Sequence, residues 1–187
     1  MKIKKHKISD WIYFKKNAIL NKSRAITKYF FFNRLDIILG YNIIIKRGKG
    51  KHFFGKKNII FDNSIFEVHN SKACITTGYE CFFSYGVVVV CNLSITIGNN
   101  VWIGEYTSIR DSTHDFSAEN PLGYNSDITT PIIIGNNVWI GRGCLIMQGT
   151  IIQDNVIIAA NSVVKGKCIT NSIYGGSPAK FIKFIKS

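Results

Sequence analysis

Every sixth residue from Ile134 to Val164 is a branched aliphatic: Ile134, Ile140, Ile146, Ile152, Ile158 and Val164. Two places ahead of five of these stand Val138, Cys144, Thr150, Val156 and Ser162, all small. A helix needs apolar spacing near 3.6 and a half-buried strand alternates at 2, so a period of six suits neither alone. It suits short strands joined by tight corners, with about six residues per side of a coil and one aliphatic per side turned inward. Gly135, Gly141 and the Asn136-Asn137, Asp154-Asn155 and Asn161 positions supply the corners, because Gly and Asn accept a positive φ. The register recurs upstream at Ile97, Ile103 and Ile109, so the stack is longer than its clearest stretch.

Between Ile109 and Ile134 the count fails. The next position in register is 115, but the pattern resumes at 134, so about nineteen residues are inserted. The insertion, a loop over 110–133, carries Asp111, His114, Asp115, Glu119 and Pro121. A stacked coil has no packing use for so long a polar excursion, and loops thrown out from a rigid scaffold are where function concentrates.

Charge divides the chain. Residues 1–57 hold 16 Lys and Arg against Asp10 and Asp36, a net of +14, while the remainder holds 8 against 9, giving the overall +13. Lys2, Lys4, Lys5 and Lys7 form a basic arm. From Asp10 to about Leu35, Ile12, Ile19 and Ile26 recur at seven and Trp11, Phe14, Ala18, Tyr29 and Phe30 widen the stripe, predicting an amphipathic helix. Two readings stay open: a helix capping the first coils, or a basic helix lying peripherally on a membrane. Nucleic acid is not expected as a partner, since no recognised motif accompanies the basic residues. No apolar run reaches the ~18 residues of a membrane span and the start lacks a signal-peptide plan, so a cytoplasmic protein, in contact with the membrane under the second reading, is expected.

Asp36 to Gly50 suggests two short strands, Ile37-Ile38-Leu39 and Ile43-Ile44-Ile45, and Lys46 to Lys57 a basic turn region. Asn58 to Val90 reads as irregular early coils with Ile59, Ile65, Phe83 and Val89 as the inward candidates. The division expected is a basic extension over 1–57 and a repeat domain over 58–187, whose tail, 166–187, leaves the coil. The five cysteines, Cys74, Cys81, Cys91, Cys144 and Cys168, show no paired zinc-ligand spacing and read as reduced core thiols, Cys144 and Cys168 falling on the small inward register.

The phrase Ile97-Gly98-Asn99-Asn100-Val101-Trp102-Ile103-Gly104 returns as Ile134-Gly135-Asn136-Asn137-Val138-Trp139-Ile140-Gly141. With nine aligned aliphatics, the His-bearing loop, the Ala159-Ala160-Asn161-Ser162-Val163-Val164 ending and the Gly175-Gly176-Ser177-Pro178-Ala179-Lys180 tail, the chain resembles the hexapeptide-repeat acyltransferases. Within them it is most similar to the galactoside and maltose acetyltransferases and the O-acetyltransferases of capsule and lipopolysaccharide glycans. The resemblance implies an all-β fold, a left-handed parallel β-helix carrying the N-terminal helical extension and a protruding active-site loop. It also implies a homotrimer with sites between subunits, acetyl-coenzyme A as donor, and a sugar or polysaccharide as acceptor, an acidic one in view of the basic first third.

Moving an acetyl group from a thioester to a hydroxyl requires the hydroxyl to lose its proton as it attacks, and a neutral imidazole is matched to that task. His6 sits in the basic arm and His52 and His69 in poorly patterned regions, whereas His114 sits in the inserted loop where the family's base is found. Asp111, Asp115 or Glu119 could orient its ring. Strand alternation points Trp139 outward between Val138 and Ile140, toward a ligand or a neighbouring subunit, and Trp102 holds the same place one repeat earlier. The resemblance places Gly141, Arg142, Ala160 and Lys165 along the pantetheine arm, Lys180 and Lys183 near the coenzyme phosphates, and Ser84 and Asn92 beside the acceptor. Arg142 departs from the small residue common there. The competing readings are corner glycine, coil alanine and solvated lysine. A metal site on this fold would need three converging histidines, and only His69 and His114 lie within the likely coil region, so no metal is expected. Transfer to the amino group of an amino sugar and a non-catalytic scaffold are the alternatives.

Overall fold

The computed structural model describes residues 36–46, 48, 50–117 and 127–186. The helix expected between Asp10 and Leu35, and Glu119 and Pro121 of the loop, lie outside the described residues. The period of six becomes a three-sided parallel β-helix of the left-handed class expected. One face stacks Ile38–Leu39, Ile59–Ile60, Phe82–Phe83, Trp102–Ile103, Trp139–Ile140, Ile157–Ile158 and Ser172–Gly176, and ends in the antiparallel strand Ala179–Phe184. The second face stacks Ile44–Lys46, Ile65–Val68, Val88–Cys91, Ser108–Arg110, Leu145–Ile146 and Val163–Val164. The third stacks Lys51–Phe54, Cys74–Thr77, Ser94–Ile97, Ile132–Ile134, Ile151–Ile152 and Lys167–Cys168.

Each coil passes the three faces in that order. The core is therefore a set of aliphatic columns, one per inward position: Ile60, Phe83, Ile103, Ile140 and Ile158 are all fully buried in the first. The small register is buried as expected, from Val138 through Ser162. Its hydroxyls satisfy corner carbonyls, Thr107 donating to Gly141 O at 3.0 Å and Ser162 to Ala159 O at 2.6 Å, so the polar atoms carry no desolvation penalty. Left-handed residues make the corners, Asn100, Asn137, Asn155 and Asn171 between the third and first faces and Asn161 between the first and second. At Gly98 the requirement is close approach: a Cβ there would lie 2.5 Å from the carbonyl oxygen of Gly135 in the next coil.

Four expectations change. The first coil begins at Ile38, inside the span assigned to the N-terminal extension, and the basic turn region at Lys46 to Lys57 contains the strand Lys51–Phe54. The inward residues of the second coil are Ile60 and Phe66, one place beyond Ile59 and Ile65, because that coil takes 23 residues and so falls one short of a whole number of hexads. Cys168 pairs with Ile152, so it fills an inward aliphatic column; the corner after Val164 is shortened and the register slips. The tail does not leave the fold but closes the first face as the Ser172–Gly176 and Ala179–Phe184 hairpin.

Trp102 pairs with Trp139, and Trp139 with Ile157, so one coil takes 37 residues and the next 18. The chain leaves after Arg110 on the second face and returns at Ile132 on the third. Its base is an antiparallel ribbon, Ser112–His114 against Asp127–Thr129.

Candidate active site

The ribbon brings two side chains together that sequence spacing keeps apart. His114 and Asp127 are directly opposite on adjacent strands, and His114 Nδ1 lies 3.0 Å from Asp127 Oδ1. An ionised carboxylate only accepts, so Nδ1 carries the proton and Nε2 is left as the acceptor. The imidazole is largely solvent-exposed, 74% against 43% for the carboxylate. Asn92, on the preceding coil, donates its Nδ2 to the other oxygen of Asp127 at 3.2 Å and to Ser112 Oγ at 3.0 Å.

The three acids expected near His114 behave differently. Asp111 is fully buried and points away from the ring into the coil corner. It accepts the backbone N–H of Asn92 at 2.7 Å, Leu93 at 2.8 Å and Ser94 at 2.7 Å. The Cys91 thiol also donates to it, at 3.3 Å. Burial, with the negative charge of Asp111 next, pushes that thiol up to about 12. Asp115 is exposed and Glu119 lies outside the described residues, so among the described residues Asp127 is the acid that orients His114. Nothing local in the sequence marks Asp127; only the ribbon register reveals it.

Trp139 and Trp102 point outward on the first face, 55% and 51% exposed, as alternation predicts. The loop springs from the corner between the second and third faces, which is opposite the first face of a three-sided coil. A single chain therefore does not bring His114 and Trp139 together. Gly141, Arg142 and Ala160 share the corner between the first and second faces. A Cβ on Gly141 would meet Ala160 N at 2.6 Å, so this edge must be built from small residues to stack. Arg142 is held there by Glu105, Nε to Oε1 at 3.4 Å. Lys180 pairs opposite Gly175, which lies over Ala159, and so joins the same edge. Lys183 pairs with Ile173 toward the other side of that face, and Lys165 occupies the loop's corner instead. Ser84 and Asn92 stand on different corners, Ser84 accepting Ser64 Oγ through its carbonyl at 3.1 Å. Among the described residues no three His, Cys, Asp or Glu side chains converge as metal ligands.

Residues 131–166 match the family model described as bacterial transferase hexapeptide, six repeats. A Schizosaccharomyces pombe protein named as an acetyltransferase is 36% identical over 112 residues, 59% of this chain and 53% of its own length. An Escherichia coli K12 protein, WbbJ, named as a lipopolysaccharide-biosynthesis O-acetyltransferase, is 36% identical over 98 residues, 48% of this chain and 50% of its own. The chain thus spans about half the length of the curated relatives it matches. Among solved structures, a galactoside acetyltransferase in complex with coenzyme A superposes with a TM-score of 0.53 at 24% identity, covering 88% of this chain and 73% of the other. Repeat and coil geometry agree: residues 131–166 carry the six-residue repeat, the described coils form a parallel β-helix, and the chain is similar to proteins named as acetyltransferases.

Proposed function

We propose that the chain transfers an acetyl group from acetyl-coenzyme A to a hydroxyl of a bacterial surface-glycan sugar, with His114 as general base. The observation that carries this reading is the Asn92–Asp127–His114 chain of hydrogen bonds, which fixes the imidazole tautomer and leaves Nε2 free to accept a proton. Acetyl-coenzyme A supplies the activated acyl thioester. His114 Nε2 takes the acceptor hydroxyl proton as the oxygen attacks, and the imidazolium, stabilised by Asp127, returns it to the departing thiolate. Backbone N–H groups are the donors for the developing oxyanion.

The edge formed by Gly141, Ala160 and the stacked hairpin suits an extended coenzyme arm, with Lys180 as the cation for its phosphates. Arg142, already paired with Glu105, is a weaker candidate. Lys165 and Lys183 belong to this site only where a second chain supplies the edge. Because His114 and Trp139 lie on opposite sides of one coil, a complete site needs His114 from one chain and Trp139 from the next. This supports a homotrimer with three sites between subunits. Asn92 serves His114 through Asp127 in this reading, and Ser84, on another corner, meets an acceptor only across that interface. The basic first third favours an acidic acceptor or peripheral contact with a membrane.

The test is release of free thiol from acetyl-coenzyme A with a panel of polysaccharides and nucleotide sugars, the product then treated with alkaline hydroxylamine. Ester products cleave and amides do not, which separates O- from N-transfer. His114→Ala is expected to lower turnover by about 10²–10⁴-fold with coenzyme affinity kept. An active His114→Ala protein, or a parent protein that does not bind acetyl-coenzyme A, rejects the assignment, the latter in favour of a scaffold.

A further inference from the structure

Three successive coils carry one four-residue module where the third face turns into the first: Tyr79-Glu80-Cys81-Phe82, Asn99-Asn100-Val101-Trp102 and Asn136-Asn137-Val138-Trp139. In each, a polar pair occupies the corner, a small residue is buried at no more than 1% exposure, and an aromatic side chain points outward. The second polar residue is left-handed every time, at φ 58, 53 and 54. Parallel register puts Phe82, Trp102 and Trp139 in one column, with the Phe82 and Trp102 ring centroids 5.7 Å apart. The coils on either side break the module, placing Ile59 and Ile157 in that column. The six polar residues line an open cleft of about 520 Å³, within the ~300–1,000 Å³ usual for ligand sites. Cleft and aromatic column therefore occupy the same three coils and end together.

Coil stacking explains the buried residue and the left-handed corner, but not the aromatics, since isoleucine serves the flanking coils. Exposed indoles beside a polar cleft suit a ligand with both an apolar face and a hydrogen-bonding edge. Asn99 and Asn136 each accept a backbone N–H of the preceding coil through Oδ1, Asn136 Nδ2 donates to Asp154 and Asn100 Nδ2 to Asn137 Oδ1. The amide groups left to meet a ligand's hydroxyl oxygens are therefore Asn99 Nδ2 and Asn137 Nδ2. Glu80 is the single charge in the lining and is offset by Lys57 at 3.3 Å, so the cleft is not built for phosphates. The column extends two coil steps, roughly 10 Å at a strand spacing of ~4.8 Å, longer than one sugar ring. We propose that the cleft and column form a track for a carbohydrate chain. The acceptor is then an oligosaccharide or polymer, its reacting unit at Trp139 and its neighbours over Trp102 and Phe82. The placement of the reacting unit rests on the acetyl-transfer reading; binding of the chain does not.

The experiment probes the labelled full-length protein on a printed array of bacterial surface glycans, each series running from a single sugar to a hexasaccharide. Signal is expected to rise with chain length and to fall about tenfold in Trp102→Ala, as expected for loss of one stacking ring, with partial recovery in Trp102→Phe. Acetyl-coenzyme A affinity and assembly mass of the variant should match the parent. Binding that is indifferent to length, a Trp102→Ala protein that binds as the parent does, or a variant of altered assembly mass overturns the track, the last by showing that a second copy covers the column. Length-dependent binding without acetyl transfer upholds the track and removes the transferase reading. Transfer to single sugars with no gain for longer chains does the reverse.

Discussion

The side-chain amide of Asn92 donates to Asp127 across 35 residues of chain, and Asp127 turns its other oxygen to the His114 ring. The imidazole is thus positioned from the coil below the loop. Asp127→Asn removes the acceptor that fixes the tautomer while keeping side-chain size. Turnover is expected to fall by about 10² or more, with coenzyme affinity unchanged by calorimetry. Asn92→Ala should cost less, roughly three- to tenfold, since it loosens Asp127 without removing it. Loss of coenzyme binding in step with turnover would make both residues merely structural.

Asp111 does a different job. Its carboxylate collects three backbone N–H groups of the preceding coil, so it pins the start of the loop onto the stack. Asp111→Ala leaves those part-buried donors unmatched, which is expected to destabilise the fold by about 1–3 kcal/mol. Asp111→Asn, able to accept on one oxygen only, should fall between. Denaturant unfolding of the three proteins checks the order; an Asp111→Ala protein as stable as the parent would show that the corner relaxes to water.

The repeat register made the core readable: Ile97, Ile103, Ile109 and the run from Ile134 to Val164 are all buried where a period of six puts them. The length of the insertion was equally legible, because a coil counts residues. The early coils were not, since they take 21 to 23 residues and Phe66 and Phe83 fill space that aliphatics fill later, which shifts Ile59 and Ile65 off the core. The choice among acids failed for another reason. Asp111 and Asp115 are near His114 in sequence, but a ribbon sets partners by cross-strand register, and that register lies beyond local spacing. Gly141 and Lys180 could be placed on one edge only once the tail hairpin was seen to fold back over Ala159.

The cysteines give a pH signature. Burial holds Cys81 and Cys168 up to about 11, and burial together with Asp111 holds Cys91 up to about 12, against an ordinary thiol value of 9.0. The native state therefore keeps protons that the unfolded chain releases above pH 9. Stability from this source is fully present below pH 9 and is lost as pH rises from 9 toward 11–12. Denaturant midpoints should be level from pH 6 to 8 and drop beyond 9, less steeply in Cys168→Val, whose side chain suits the aliphatic column under Ile152. An aromatic disulfide reagent at pH 8 should find Cys74 in the native protein and all five thiols after unfolding. Rapid native labelling of four or five would contradict the buried placement.

Gly98 tests the stacking itself. A Cβ at this position would sit 2.5 Å from Gly135 O and 2.7 Å from Gly135 C, backbone atoms of the next coil that cannot swing aside. Relief requires the coils to separate locally, which weakens the Gly98 N–H to Ile134 O bond at 2.8 Å and shifts the corners on both sides. Gly98→Ala is therefore expected to destabilise by about 1–3 kcal/mol, whereas Gly166→Ala, where no atom lies within 4 Å of the added carbon, pays only for its left-handed backbone at φ 85. Thermal unfolding distinguishes the two, because steric conflict between coils should also disturb the adjacent Trp102 and Trp139 column and alter its fluorescence in Gly98→Ala alone. Equal losses with unchanged fluorescence would mean that backbone conformation, and not contact between coils, sets the glycine requirement at this corner.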